Sequence, residues 1–134
     1  MANDLIQPSE EEKLFEKLVK YYSRLYPGLS FRKEELTLQP DELAEIWYTY
    51  PGAETEATFN EEVAMIEKAL DYGYSTPIII LRKDGKDILL DGHRRLKVAF
   101  DRKLPWKALA IVVDAEMDFG IEKMILGKVK EKFS

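Results

Sequence analysis

Two Asp-Gly steps, Asp84-Gly85 and Asp91-Gly92, constrain the fold of this chain most, because each follows an apolar run. The first separates "PIIILR" from "DILL" and predicts a β-hairpin, since Asp-Gly readily adopts the conformations of a tight two-residue turn. The second ends the run Ile88–Leu90 and precedes a segment of helical composition that extends to about Asp101. The chain is therefore predicted to pass from a strand, through a glycine turn, directly into a helix.

Helical periodicity predicts an N-terminal helix at about residues 10–26, with Ser9 as its N-cap and Glu12 completing a capping box. Thr58 begins a second pattern of this kind, and the helix that follows it is predicted to end at Gly73, because glycine commonly terminates helices. Both predicted helices carry apolar residues along one side, as helices packed on a core do.

The remaining segments complete an α+β fold with a small mixed sheet. They are a short strand near residues 35–38, a brief helix from Pro40 through Trp47, a surface loop at 49–58, a buried strand at 108–113 and an amphipathic helix at about 117–133. The loop is long enough to be a lid or merely a mobile connection. A chain of 134 residues suits one domain, so residues 1–134 are predicted to form a single unit.

Composition excludes several classes of protein. The chain contains no cysteine, which excludes disulfides, thiol catalysis and cysteine-ligated zinc. No N-terminal run resembles a signal peptide, and no segment is apolar enough to span a bilayer. We therefore expect a cytoplasmic protein without a membrane partner.

The charge of the chain is unevenly distributed around a net value of −5. Residues 1–62 hold 14 Asp/Glu against 6 Lys/Arg, whereas residues 63–134 hold 11 against 14. The segment from Arg82 to Lys107 is the most basic, with nine Lys/Arg against four Asp. A basic patch this concentrated favours a small anion over a DNA duplex, although a charge run can also be a solvated surface.

The residues at the second Asp-Gly step are of the types that bind phosphate in other proteins. The free N–H groups at the start of a helix, with its dipole, form an anion site, and Arg94 and Arg95 would add fork-shaped donors. His93 can donate a hydrogen bond or transfer a proton, and Asp91 can cap the helix or bind a Mg²⁺ that bridges phosphates. Ordinary turn chemistry explains the same pattern, and adjacent arginines on a helix point in different directions, so one at most would face a ligand.

The run "LLDGHRRLKVA" resembles the signature of the ParB N-terminal domain and sulfiredoxin superfamily. The similarity extends to "EELTLQPDEL", to "EEVAMIEKALDYGYSTPIIILRKDGKDILL" and to "KLPWKALAIVVD", and so covers about residues 34–114. The resemblance implies a ParB/sulfiredoxin-like fold that binds the phosphates of ATP, ADP or CTP, with Mg²⁺, near a site of hydrolysis or phosphoryl transfer.

The resemblance also implies roles for individual residues. Carried over by position, the phosphate-binding residues are Gly92, His93, Arg94 and Arg95. Asp91 would be a catalytic or metal-binding neighbour, and His93 a further catalytic candidate. "PDE" at 40–42 is similar to the context of an essential glutamate in ParB-like free-serine kinases, which makes Glu42 a candidate general base and Asp41 its rival. The alternative for Glu42 is an exposed acid in the first turn of a helix.

This chain departs from the superfamily pattern at several points. Sulfiredoxins carry a cysteine where this chain has His93, which excludes sulfinate reduction. About 20 residues follow Asp114, enough for one helix, so we do not expect the DNA-binding and dimerisation domains of chromosome-partition ParB proteins. Thr76 stands before Pro77 where the family often has glutamine, which puts ligand contacts from that position in doubt.

Three functions remain as hypotheses. The preferred one is a ParB-like protein that binds a nucleotide and, with Mg²⁺, hydrolyses it or transfers its phosphate. The second is a DNA-binding or nuclease module, with Trp47 or Trp106 stacking on a base. Its backbone contacts would be Lys83, Lys86, Lys97, Arg102, Lys103 and Lys107. The third is a non-catalytic nucleotide sensor that acts through a protein partner, using the helix at 10–26 or the loop. That helix is also a possible homodimer surface.

Overall fold

The computed structural model describes residues 5–53 and 55–133, which form a mixed α+β structure. Its helices are α1 (Pro8–Leu25), α2 (Pro40–Ala44), α3 (Glu56–Leu70), α4 (His93–Arg102) and α5 (Val129–Lys132). Its strands are β1 (Arg32–Leu38), β2 (Trp47–Thr49), β3 (Ile78–Lys83), β4 (Lys86–Asp91), β5 (Trp106–Val113) and β6 (Ile125–Lys128). A 3₁₀ helix, Ile121–Met124, precedes β6. The predicted fold class is confirmed at this level.

The strands form one mixed sheet in the order β1-β5-β3-β4-β2-β6. The pairs β1–β5, β3–β4 and β2–β6 are antiparallel, whereas β3–β5 and β2–β4 are parallel. Strand β4 therefore lies in the interior of the sheet, and the turn that follows it is supported by neighbouring strands on both sides.

Apolar side chains cover both faces of the sheet. Ile78 and Ile80 of β3 belong to the cluster that includes Leu43 of α2 and Leu96 of α4, whereas the alternate residues of β3 belong to the cluster beneath α1. This two-sided burial explains why "IIIL" reads as a continuous apolar run and not as an alternating one. Helix α3 packs on α4, where Ile66 and Val98 are both buried.

The two Asp-Gly steps adopt the predicted structures. Asp84 and Gly85 have φ angles of 52° and 71°, the left-handed conformation that a tight hairpin turn between β3 and β4 requires. Strand β4 ends at Asp91, Gly92 is the N-cap of the next helix, and α4 begins at His93. The strand–glycine turn–helix unit is therefore confirmed.

The two predicted capping boxes are each displaced. Helix α1 begins at Pro8 after the N-cap Gln7, whose N–H donates to Glu10 Oε1 at 3.0 Å, so Ser9 lies inside the helix. Proline at the first helical position explains the earlier start, because its ring is already set for a helix. Helix α3 has Thr55 as its N-cap, and Thr55 Oγ1 accepts a hydrogen bond from the Thr58 N–H at 3.1 Å.

Two predicted boundaries between α2 and α3 also change. Helix α2 ends at Ala44, and Trp47, predicted as the last residue of that helix, begins strand β2 (Trp47–Thr49). The predicted loop at 49–58 is shorter, since α3 begins at Glu56. Residue 54, inside that loop, lies outside the described residues.

The prediction of one helix over residues 117–133 is wrong. The segment contains the 3₁₀ helix, β6 and the four-residue α5 instead. Gly120 and Gly127 have φ angles of +92° and +137°, which interrupt a helix at both places. Val129 is buried, whereas the side chain of Met124 is 41% exposed.

Candidate functional site

The turn after β4 requires glycine for two reasons. Gly92 has a φ of +108°, a conformation that L side chains rarely adopt. A Cβ atom there would also lie 2.6 Å from Ile78 Cγ2, far inside van der Waals contact. The sharp passage from β4 into α4 therefore depends on the missing side chain.

Helix α4 begins without a side-chain cap. Gly92 has no side chain to offer, and the Leu96 N–H donates to the Gly92 carbonyl at 2.8 Å as the helix starts. By contrast, the side chain of the α3 N-cap accepts a hydrogen bond from the Thr58 N–H, and α1 and α2 each start with a glutamate that accepts from the N-cap N–H. The first turn of α4 thus presents backbone donors and the positive end of the helix dipole.

A cavity of about 250 Å³ adjoins this turn. Its lining residues are Leu5, Ile6, Glu62, Ile66, Tyr74, Asp91, Gly92, His93, Arg94 and Arg95. The structure therefore brings together the five consecutive residues, 91–95, that the sequence singled out. It adds walls from the N-terminal segment and from α3, which the sequence did not predict.

Arg94 is held at the cavity by α3. Its Nε lies 2.7 Å from Glu62 Oε2, and its guanidinium lies over the ring of Phe59 at 5.6 Å from the centroid. The side chain keeps about a quarter of its surface exposed. Arg94 is therefore a cation that α3 positions in the wall of the cavity.

Arg95 is buried and has structural partners. Its Nη1 donates to the Pro77 carbonyl, and its Nη2 donates to Glu11 Oε2 at 3.0 Å and to Asp91 Oδ2 at 3.1 Å. The guanidinium thus joins the start of β3, the end of β4 and helix α1. Since both Nη2 hydrogens are used, a phosphate would have to displace a carboxylate to receive a bidentate bond from Arg95.

Glu11 is the site residue that the sequence reasoning missed. It is fully buried, and burial raises the pKa of its carboxyl group from 4.5 to about 8 despite the attraction of Arg95. Its Oε1 accepts no hydrogen bond from any described residue, so a proton there would let it donate to Asp91. A sequence signal existed, because Glu11 shares the apolar helical face of Phe15 and Tyr22.

His93 is neutral at physiological pH. Burial lowers the pKa of its imidazole from 6.5 to about 4. Its Nε2 lies 3.1 Å from Thr49 Oγ1, and that hydroxyl donates its only hydrogen to the Leu89 carbonyl at 2.9 Å. Nε2 must therefore carry the proton and Nδ1 the lone pair. This tautomer does not offer phosphate a positive charge, so His93 as a phosphate ligand stays a prediction.

Glu42, the predicted general base, is not among the residues that line the cavity. Its Oε1 accepts a hydrogen bond from the Gln39 N–H at 2.9 Å and thereby caps α2, and its side chain is exposed. This is the alternative that the sequence left open for Glu42. Asp41 precedes it in the same first turn and is exposed too.

The N-terminal segment closes one side of the cavity. The Ile6 carbonyl accepts hydrogen bonds from Tyr74 Oη at 2.9 Å and from Thr76 Oγ1 at 2.8 Å, and Leu5 is buried against α3 and α4. Thr76, at the position that the sequence analysis left in doubt for ligand contacts, therefore anchors this wall.

The acidic and histidine side chains at the turn do not fit a resident metal ion. Within residues 5–53 and 55–133, no three His, Cys, Asp or Glu side chains are placed to share one. Asp91 Oδ2 is already bonded to Arg95. Mg²⁺ at phosphate sites often has one or two carboxylate ligands and takes others from the phosphates. A magnesium ion would therefore have to arrive with its nucleotide.

Several of the residues predicted to contact DNA form contacts with other residues of the protein. Lys83 is buried and pairs with Glu122 at 2.6 Å, and Lys97 and Arg102 also form ion pairs. Trp106 is buried, with its indole N–H donating to the Thr76 carbonyl at 2.8 Å, so it cannot stack on a base. The exposed members of the set are Lys86, Arg102, Lys103 and Lys107.

Comparisons of this chain with protein-family models, with curated proteins and with solved structures found no match. In the part of the chain that the structure describes, no helix has both the length and the apolar character to cross a bilayer.

Proposed function

We propose that this protein is a ParB-like nucleotide-binding protein that holds the phosphate groups of ATP, ADP or CTP at the start of α4. The observation that carries this proposal is the cavity at the glycine turn, lined by residues 91–95 beside a helix that starts without a side-chain cap. The order hairpin, glycine turn, helix and strand over residues 78–113 agrees with the order that the resemblance implies.

The phosphate would be bound by two kinds of donor. The first is the set of backbone N–H groups in the first turn of α4, where the positive end of the helix dipole also favours an anion. Arg94 adds a charged side chain that Glu62 and Phe59 hold in place. Arg95 supports the turn from its buried side, because its guanidinium donates hydrogen bonds to Asp91 and to the carbonyl of Pro77 before β3.

The size of the cavity indicates which part of a nucleotide it holds. A volume of about 250 Å³ lies below the roughly 300–1,000 Å³ of pockets that enclose a whole small ligand. The phosphate groups would therefore occupy the cavity, and the nucleoside would extend beyond it.

Binding and turnover are separate parts of this proposal. Hydrolysis or phosphoryl transfer needs a carboxylate that can accept a proton from the attacking group. Asp91 lines the cavity and keeps part of its carboxylate exposed, whereas Glu42 caps α2. Asp91 is therefore the preferred catalytic residue, and a protein that binds without turnover would be a nucleotide sensor.

Titration calorimetry with ATP, ADP, CTP and GTP in the presence of Mg²⁺ tests the proposal on the wild type, Arg94→Ala and Arg102→Ala. Arg102 is a matched control, because it is another arginine of α4 paired with a glutamate of α3, Glu67. We expect Arg94→Ala to weaken binding about 10- to 100-fold, the loss typical of a charged hydrogen bond, and Arg102→Ala to leave it unchanged.

Phosphate release measured on the same samples separates an enzyme from a sensor. Failure of folded wild-type protein to bind any of the four nucleotides would contradict the proposal. Equal affinities of the wild type and Arg94→Ala would show that the ligand binds elsewhere.

A further inference from the structure

The outer face of α1 carries a row of four cations. Lys13, Lys17, Lys20 and Arg24 recur at intervals of four, three and four residues, which places them on one side of a helix. All four are exposed, and the row is roughly 16 Å long at the rise of an α-helix. We refer to these residues as the basic row.

The basic row makes no ion pair or hydrogen bond with any residue that the structure describes. Ion pairs are common elsewhere, at Arg32, Lys33, Arg82, Lys83, Arg94, Arg95, Lys97, Arg102, Lys128 and Lys130. Two acids of α1 have other partners, since Glu10 bonds the Gln7 N–H and Glu16 pairs with Lys33. A chain with a net charge of −5 thus keeps a row of cations that form no ion pair with the described residues.

An apolar ridge runs beside the basic row. It consists of Leu18, Tyr21 and Leu25, and the last two are 55% and 49% exposed. The ring of Tyr21 contacts the buried ring of Tyr22 edge-on, at 5.4 Å between centroids, which orients it. Lys17, Lys20 and Arg24 border the ridge, so the basic row and the ridge form one open surface of α1.

We propose that this face of α1 docks an acidic, amphipathic segment of another protein. Carboxylates spaced three or four residues apart on the partner would pair with the basic row, and apolar side chains between them would cover Tyr21 and Leu25. The charge complementarity carries this assignment, and the ridge beside the row indicates a peptide with an apolar face. It does not depend on the nucleotide site.

Other occupants fit these observations less well. A two-fold dimer through this face would set one basic row against the other, which is repulsive. A bilayer needs the main apolar face of a helix, and that face of α1 is buried in the core through Phe15 and Tyr22. A nucleic-acid backbone would use the cations but leave the apolar ridge uncovered.

The test uses a fluorescent synthetic peptide of about 18 residues, long enough to follow the basic row. It carries glutamates at intervals of four, three and four residues beside a row of leucines, and a twin carries lysine in place of each glutamate. Anisotropy titrations compare full-length wild type with Lys17→Glu/Lys20→Glu and with Tyr21→Ser. The matched controls are Lys103→Glu/Lys107→Glu and Tyr72→Ser, which alter exposed residues elsewhere.

We expect the wild type to bind the acidic peptide and not its twin. Lys17→Glu/Lys20→Glu should weaken binding at least about tenfold and Tyr21→Ser about threefold or more, while both controls bind as the wild type does. Equal losses in the controls, or no effect of Tyr21→Ser, would overturn the proposal, because binding would then follow charge alone. Tighter binding of single-stranded oligothymidylate or of anionic phosphatidylserine vesicles than of the peptide would also overturn it.

Discussion

Arg95 Nη2 lies 3.0 Å from Glu11 Oε2, and this contact joins two residues that are 84 positions apart in the chain. The same nitrogen donates to Asp91, so one guanidinium holds the first helix against the end of β4. Glu11 lies outside the residues that resemble the ParB superfamily. The N-terminal helix is therefore an integral support of the glycine turn, and the first two predictions below follow from this contact.

Arg95→Ala is expected to destabilise the fold by about 3–5 kcal/mol, because the Asp91 carboxylate loses its cation while the buried Glu11 carboxyl group and the Pro77 carbonyl lose their donor. Urea denaturation followed by circular dichroism measures the free energy of unfolding. Arg102→Ala, which removes an exposed ion pair on the same helix, is expected to change it by less than about 0.5 kcal/mol. Equal stabilities of Arg95→Ala and the wild type would contradict a supporting role for the guanidinium.

Glu11 is expected to make the folded state less stable as the pH rises. Burial raises the pKa of its carboxyl group from 4.5 to about 8, so the folded state keeps a proton that the unfolded state releases. The stability from this group is complete below a pH of about 4.5 and is lost as the pH rises through about 8.

Glu11→Gln should therefore lose less stability than the wild type between pH values of about 6.5 and 8.5, a range in which the imidazole of His93 contributes little. Denaturation at a series of pH values checks this. The exposed neighbour provides a control, since Glu12→Gln should keep the wild-type slope. Parallel curves for the wild type and Glu11→Gln would show that the buried carboxyl does not retain its proton.

His93 is the only histidine, so its ring signals can be assigned without ambiguity by NMR. Burial lowers the pKa of its imidazole from 6.5 to about 4, and we expect the Cε1–H signal to titrate with a midpoint near that value. Because the folded pKa is depressed, the stability from this group is present above a pH of about 6.5 and is lost as the pH falls towards 4.

The ¹⁵N shifts should also show the proton on Nε2, since Thr49 Oγ1 can only accept from the ring. A midpoint near 6.5, or a proton on Nδ1 in the neutral ring, would contradict this geometry. Asn at position 93 is expected to remove the loss of stability on the acid side, measured by the same denaturation series.

Gly92→Ala is expected to destabilise the fold by about 2–4 kcal/mol, because strain at positive φ adds to a clash with Ile78. Gly52→Ala isolates the strain at positive φ, since Gly52 has a φ of +100° and no atom lies within 4 Å of an added Cβ. We expect it to cost about 1 kcal/mol. Thermal denaturation compares the two variants, and equal losses would show that the contact with Ile78 relaxes freely.

The parts of the fold that local chemistry controls were predictable from the sequence. The hairpin at Asp84-Gly85 and the glycine turn at Gly92 follow from backbone conformations that few residues adopt. Residues 117–133 were misread because their apolar spacing suits a helix, whereas Gly120 and Gly127 interrupt it. The two glycines indicated that a helix would be interrupted, but the apolar periodicity was given more weight.

The candidate site was predicted as a sequence segment, but its partners were not. Residues 91–95 are consecutive, so they meet wherever the chain folds. Glu11, Glu62 and Thr49 reach them from distant elements, and no local pattern encodes which acid will face which arginine. Glu42 matches a motif in the sequence but is not part of the site. Its carboxylate accepts a hydrogen bond from the Gln39 N–H and caps its own helix instead.

The pairing of β1 with β5 has a consequence for the order in which the chain folds. Strand β1 has one partner in the sheet, β5, and Arg32 pairs with Val112 at its far end. A nascent chain therefore carries β1 unpaired until about 80 further residues have left the ribosome, and long-range closures of this kind slow folding. Until β1 is paired, its charged residues disfavour association of this strand with other chains. They are Arg32, Lys33, Glu34 and Glu35.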